Sequence, residues 1–172
     1  NTSANSARGS AIDLGHGTAQ FRHIHLSGGV YFGGANSYNH LDEYEEGTFT
    51  PIIQGTSSTG SANYANNYGR YIRIGQMLHW QLYIGINSWA SSPSGSLRIR
   101  QLPFTSLGAQ GETTGAVMHN EFDTGGMTLV YYWASNVSEM RMYYVRDNAG
   151  WVQHPVTNEA MNFYITGTAY VQ

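Results

Sequence analysis

Tyr71-Ile72-Arg73-Ile74-Gly75-Gln76-Met77-Leu78-His79-Trp80-Gln81-Leu82-Tyr83-Ile84-Gly85-Ile86 is the stretch whose reading decides the fold class. Leu78, Trp80, Leu82, Ile84 and Ile86 recur at every second position, while Met77, His79, Gln81 and Tyr83 occupy the positions between. Successive side chains of a strand point to opposite faces, so a period of two is the signature of a strand with one buried face. The second face is itself half apolar. The stretch therefore reads as one long strand, covered by a core on one side and by a neighbour on the other.

The rest of the chain repeats the pattern on a smaller scale. Working outward, strands are expected at Thr48–Ile53, with Pro51 arguing for a sheet edge, and at Ser96–Gln101, where Leu97 and Ile99 alternate with Arg98 and Arg100. Further strands are expected at Thr113–His119, Met127–Trp133, Glu139–Val145 and Met161–Val171, with Ala62–Tyr68 either a short strand or an irregular loop. Asn87–Gly95, "NSWASSPSG", reads as a loop by its turn residues. No segment of ten or more residues carries a helical period. Seven or eight strands separated by Gly/Asn/Ser/Asp turns fit an all-β antiparallel β-sandwich, jelly-roll-like in its strand count.

Composition agrees. Charged residues make up only 11% of the 172 residues, lysine is absent, and all eight basic residues are arginine. A net charge of −3 gives no electrostatic footprint for nucleic acid. There is no cysteine, hence no disulfide or thiolate metal site, and no apolar run approaches the roughly 18 residues needed for membrane insertion. Low charge combined with 41% hydrophobic residues points to an oligomer that buries part of its surface. The chain opens on Asn1, which suggests a fragment of something longer.

Two regions differ in character: 1–46, rich in Gly, Ser and His, and 47–172, the sandwich. In the first, Phe21–Leu26 and Val30–Tyr31-Phe32 are short apolar alternations linked by glycine, too little to close a core within one chain. Leu41–Gly47 holds four of the eleven acids and is expected to be an acidic hinge, as a linker or short helical turn.

Several strings carry a resemblance to the C-terminal regions of tailed-bacteriophage tail fibres. "FRHIHLSGGVYFGG" at 21–34 resembles the family's stem motif. "LDEYEEGTFTP" at 41–51 is similar to its Leu-Asp-x-Tyr-Glu-Glu-Gly-Thr-Trp-Thr-Pro box, with Phe49 in place of the usual Trp. "YGRYIRIG" at 68–75, "LPFTS" at 102–106 and "YITGTAY" at 164–170 follow in order. The resemblance implies a homotrimer with a short stem of interwoven β strands and a sandwich head. It further implies a place in the virion alongside other tail proteins, and contact with a host cell-surface glycan or outer-membrane component. It implies no catalytic mechanism. The other classes to weigh are a purely structural fibre or capsid decoration trimer, and a polysaccharide-degrading tailspike tip.

Several residues stand out for chemistry. His23 and His25 would share one side of a strand, and three copies about an axis would offer six imidazoles, an octahedral set suited to iron or another transition metal. If Ile24 and Leu26 face the axis instead, the histidines point to solvent as an exposed or stacking pair. Glu121 and Asp123 are the one close acid pair outside the hinge, beside Gly125-Gly126 in a solvated turn; no catalytic residue is assigned. For glycan binding the expected residues are Trp89, Tyr132, Tyr143, Asp147, Asn148, Trp151 and His154. Aromatic rings stack on the C–H faces of sugars, and polar side chains take the hydroxyls. Trp151 could equally start a strand and pack inside, and Trp89 could anchor its loop. Trp80 belongs to the core.

Overall fold

A computed structural model describes residues 17–18, 20–34 and 36–172. Most of the segment ahead of Phe21, part of the expected stem, lies outside that range. The chain divides into two units, Asn1–His40 and Leu41–Gln172. The first contains β1 (Val30–Tyr31) and ends at β2 (His40–Leu41), which form a two-stranded sheet. Phe21–Leu26, expected as a strand, is not one: its residues are exposed and unpaired by any sheet within the single chain.

The second unit is a β-sandwich, and no α-helix occurs among the described residues. One sheet carries β3 (Tyr44–Phe49), β5 (Ser61–Ile74), β6 (Met77–Ser91), β13 (Met161–Tyr170) and β9 (Met118–Asn120), in that order. The other runs β4 (Ile52–Gly55), β7 (Leu97–Arg100), β11 (Met140–Val145), β10 (Thr128–Trp133) and β8 (Thr113–Ala116), with β12 (Val152–Gln153) pairing to β11 beyond the end of β7. All the strand pairs with a resolved register in the two sheets are antiparallel.

Several elements differ from the sequence reading, each for a physical reason. The long signal at 71–86 is two strands of one hairpin: Ile74 pairs with Met77, and the two-residue turn Gly75-Gln76 begins in the left-handed region at φ 57°, where glycine carries no Cβ penalty. Thr48–Ile53 is also two strands. The chain leaves one sheet at Phe49 and enters the other at Ile52, and Pro51 sits buried at the corner. Thr113–His119 switches sheets in the same way at Val117. Trp89 lies inside β6 rather than in a loop, because the far end of β6 stays paired to Ser61–Asn63.

From Tyr44 the acidic stretch is a strand and not a linker or helical turn. Tyr44–Phe49 is an edge strand on β5, and the acids at 43, 45 and 46 all have partners. Glu43 holds Arg73 at 2.6 Å, Glu45 accepts from the Tyr71 hydroxyl, and Glu46 accepts from Tyr44 at 3.2 Å. Along the same ladder Phe49 faces Gly69 and Tyr71 faces Gly47, so each ring lies over the glycine opposite. That reciprocal fit gives the Gly-Thr-Phe and Tyr-Gly-Arg-Tyr strings a shared structural cause.

The core lies between the sheets. Leu78, Trp80, Leu82, Ile84 and Ile86 of β6 face Leu129, Tyr131 and Trp133 of β10 and Met140 and Met142 of β11. Trp80 meets Tyr131 and Trp133 edge to face, with centroids 5.3 and 6.0 Å apart. Gly167 on β13 leaves the space that the Tyr131 hydroxyl and the Trp80 ring occupy. Gly167→Ala should therefore push this cluster apart and destabilise the chain by about 1–3 kcal/mol. A urea midpoint unchanged by that substitution would count against the packing described.

Candidate functional site

Strand parity builds the site. On β10 the buried residues are Leu129, Tyr131 and Trp133, so Val130 and Tyr132 point outward. On β11 Met140 and Met142 are buried, so Arg141 and Tyr143 point outward. Val130 pairs with Tyr143 and Tyr132 with Arg141, which makes Tyr132 and Tyr143 diagonal neighbours on the outer face. Their ring centroids are 6.1 Å apart at 79°. Trp151, immediately ahead of β12, is 75% exposed and stands 6.3 Å from both rings.

The three rings bound an open groove of about 400 Å³, whose remaining lining includes Thr114, Val130 and Val145. Glu112 closes the β8 side. Interaction with its carboxylate raises the Tyr132 phenol's pKa above its ordinary value. On the opposite side Gln153 Nε2 donates to the Tyr143 hydroxyl at 3.1 Å, while its Oε1 accepts from Arg98 Nη2 at 2.9 Å. The groove thus offers aromatic faces of mixed orientation and hydrogen-bonding groups at both ends, the arrangement suited to a sugar ring.

The structure brings Tyr132, Tyr143 and Trp151 together and places the other sequence-derived residues elsewhere. Asp147 and Asn148 lie exposed in the connection between β11 and β12, with Asn148 in the left-handed region at φ 53°. They flank Trp151 without lining the groove. Trp89 is half-buried on the other sheet, where its Nε1 donates to the Glu159 carbonyl at 3.2 Å, fastening that loop. His154 is 4% exposed and sits between Phe122 and Tyr144, with Nδ1 bonded to the Pro155 carbonyl at 2.6 Å. Its imidazole faces the interior, out of reach of a ligand on the surface.

His23 and His25 are exposed with ring centroids 6.3 Å apart, on a segment that is not a strand. Among the described residues no cluster of three or more metal-ligating side chains occurs in the single chain. A metal here would need the histidines of further copies. Glu121 accepts from Asn162 Nδ2 at 2.9 Å and Asp123 accepts from the Gly125 amide at 2.7 Å, so both acids of the close pair are engaged locally.

Glu112, Thr114, Val130 and Val145 escaped the sequence reading. Only the outward parity of Val130 relative to Leu129 and Tyr131 could have signalled one of them.

No family model matches the chain, and no curated protein matches it. Among solved structures, the crystal structure of the Dettilon tailspike protein is similar, with a TM-score of 0.59 at 17% identity over 75% of this chain. The chain corresponds to 24% of that protein's length. At this identity the likeness is one of fold.

Exposure separates the tryptophans energetically. Trp151→Ala should leave the unfolding free energy within about 0.5 kcal/mol of the parent, whereas Trp133→Ala, at a fully buried position, should cost about 3–5 kcal/mol. Chemical denaturation of the two variants tests the assignment, and comparable losses would refute it.

Proposed function

We propose that this chain is a receptor-binding module of a bacteriophage tail fibre or tailspike, which adsorbs to a host cell-surface glycan through the groove between Tyr132, Tyr143 and Trp151. The observation that carries this reading is the gathering of three aromatic rings, Trp151 exposed and Tyr132 and Tyr143 half-buried, around one concavity, on a sandwich whose fold is similar to part of a phage tailspike. A tryptophan 75% exposed at a groove has no structural return in the single chain; stacking on a ligand supplies one. No helix among the described residues is long and apolar enough to cross a membrane.

Binding rather than cleavage is the reading adopted. Hydrolysis of a glycosidic bond by the common route needs two carboxyl groups about 5 to 9 Å apart across the scissile bond. The groove's described lining carries one, Glu112.

The module acts as a homotrimer in this proposal. Phe21, Ile24, Leu26, Tyr31 and Phe32 are each more than half exposed in the single chain, a concentration of apolar surface that parallel copies of the same segment would cover. Light scattering should give a mass near three times 19.0 kDa, and Ile24→Asp should shift it toward the monomer. A parent chain of monomer mass would remove the stem from the proposal.

For the groove, the test is an array of bacterial envelope glycans probed with the labelled chain. Saturable binding should fall by about tenfold or more in Trp151→Ala and Tyr143→Ala, the loss expected when a stacking contact worth about 1.4 kcal/mol is removed. Binding by none of the glycans would favour a purely structural trimer. Release of reducing ends from a bound polysaccharide would make the module an enzyme.

A further inference from the structure

Beside the groove, on the same outer face, three of the eight arginines converge on one acid. Arg98 and Arg100 point outward from β7 and Arg141 from β11, and Glu139 just ahead of β11 receives all three. Arg100 Nε lies 3.0 Å, Arg98 Nε 3.4 Å and Arg141 Nε 3.7 Å from its oxygens. Three guanidinium groups against one carboxylate leave an excess of positive charge.

The three arginines are not equivalent. Arg98 is buried and satisfied, with Nη1 donating to the Leu97 carbonyl at 3.2 Å and Nη2 to Gln153. Arg100 is the one closest to Glu139. Arg141 is the one furthest from it, its side chain is 32% exposed, and its buried Nε, like that of Arg100, makes no directed hydrogen bond. With up to five N–H donors on a guanidinium, Arg141 has capacity that Glu139 does not use.

Arg141 also adjoins the groove. It is the cross-strand partner of Tyr132 and precedes Tyr143 by two residues on the same face, a separation of about 7 Å. Across β11, β10 and β8 the order is Arg141, Tyr132, Thr114, with Glu112 on the far side. Glu112 thus lines the groove on the β8 side, while Arg141 stands beside it on the β11 side without lining it.

Resting on the reading of the groove as a glycan site, we infer that its ligand is an acidic oligosaccharide: a carboxylate or phosphate group takes Arg141 while an adjacent sugar ring stacks among Tyr132, Tyr143 and Trp151. A planar guanidinium suits either anion through paired, charge-assisted hydrogen bonds. Glu112 at the other end repels a second anion and accepts from sugar hydroxyls, which fixes the direction in which the chain of sugars lies.

The experiment is the binding of the full chain to an array on which each uronate-bearing or phosphorylated envelope oligosaccharide is paired with its neutral counterpart. The acidic member of each bound pair should bind about tenfold more tightly at low salt, and the preference should shrink as salt rises to about 0.5 M. Arg141→Gln should abolish the preference and Arg141→Lys should restore part of it. Glu139 keeps two arginines in both variants, so both should melt near the parent. Whichever pairs show the larger gain, uronate or phosphate, identify the source of the anion. Equal binding of acidic and neutral members, or a preference that survives Arg141→Gln, overturns this inference and leaves the groove standing as a glycan site. Binding by no member overturns both.

Discussion

Trp80 stands where the two sheets press together, with Tyr131 and Trp133 of the opposite sheet against its edges and Gly167 leaving room beside it. Edge-to-face pairs of this kind contribute about 0.5–1.5 kcal/mol each beyond the apolar area they bury. The cluster also carries a cost: the Trp80 indole N–H is buried without a hydrogen-bond acceptor, a loss of about 1–3 kcal/mol. Sealing the sandwich at this point outweighs it. Because strand side chains alternate, the inward commitment of Trp80, Tyr131 and Met142 commits Gln81, Tyr132 and Tyr143 to the outside. The groove is in that sense a by-product of the core, and its two strand-borne rings cannot move without moving the interior.

The same alternation explains what could be read from the sequence. The inward face at Leu78–Ile86 was legible because five apolar residues repeat without a break. Tyr132 and Tyr143 were named from the sequence as the binding members of Tyr131-Tyr132 and Tyr143-Tyr144; what decides the choice is which neighbour is buried, and Tyr144 turns in against His154. What failed to show was anything set by pairing between distant residues. Gly75-Gln76 is a tight turn inside an apolar run, so the hairpin looked like one strand. Pro51 and Val117 are points where the chain crosses between sheets, and nothing in local composition separates a crossing from a continuation. "NSWASSPSG" has the composition of a loop, yet Trp89 is held in β6 by its partners across the hairpin; strand propensity yields to such context readily. The acids at 42–46 read as a charged linker because their partners, Tyr71 and Arg73, lie some 30 residues away.

The two outer faces of the sandwich show that exposed tyrosine is not by itself a binding signal. On the five-stranded sheet Tyr68, Tyr83, Tyr164 and Met118 form one row straight across four strands. Tyr83 and Tyr164 stack at 4.2 Å and 6°, and Tyr68 meets Tyr83 edge-on at 5.8 Å. This row borders a groove of about 360 Å³, although Tyr83 and Tyr164 spend one face each on the other. On the six-stranded sheet Tyr132, Tyr143 and Trp151 are tilted by 53° to 79° and stand further apart around about 400 Å³, with no ring face covered by another. The difference lies in Trp151, which comes from a connection and not from the ladder.

That origin has a consequence for specificity. Two walls of the groove are tied to the core, but the third is positioned by Arg146–Gly150, where Asn148 takes a left-handed conformation and Arg146 lies over the Tyr144 ring at 5.8 Å. A substitution or insertion in this exposed connection would re-aim Trp151 while leaving the sandwich, Arg141 and Glu112 where they are. The strands thus fix Tyr132, Tyr143 and Arg141, and the connection sets the width of the slot beside Trp151. The part of the groove free to vary is then the part on which folding does not depend.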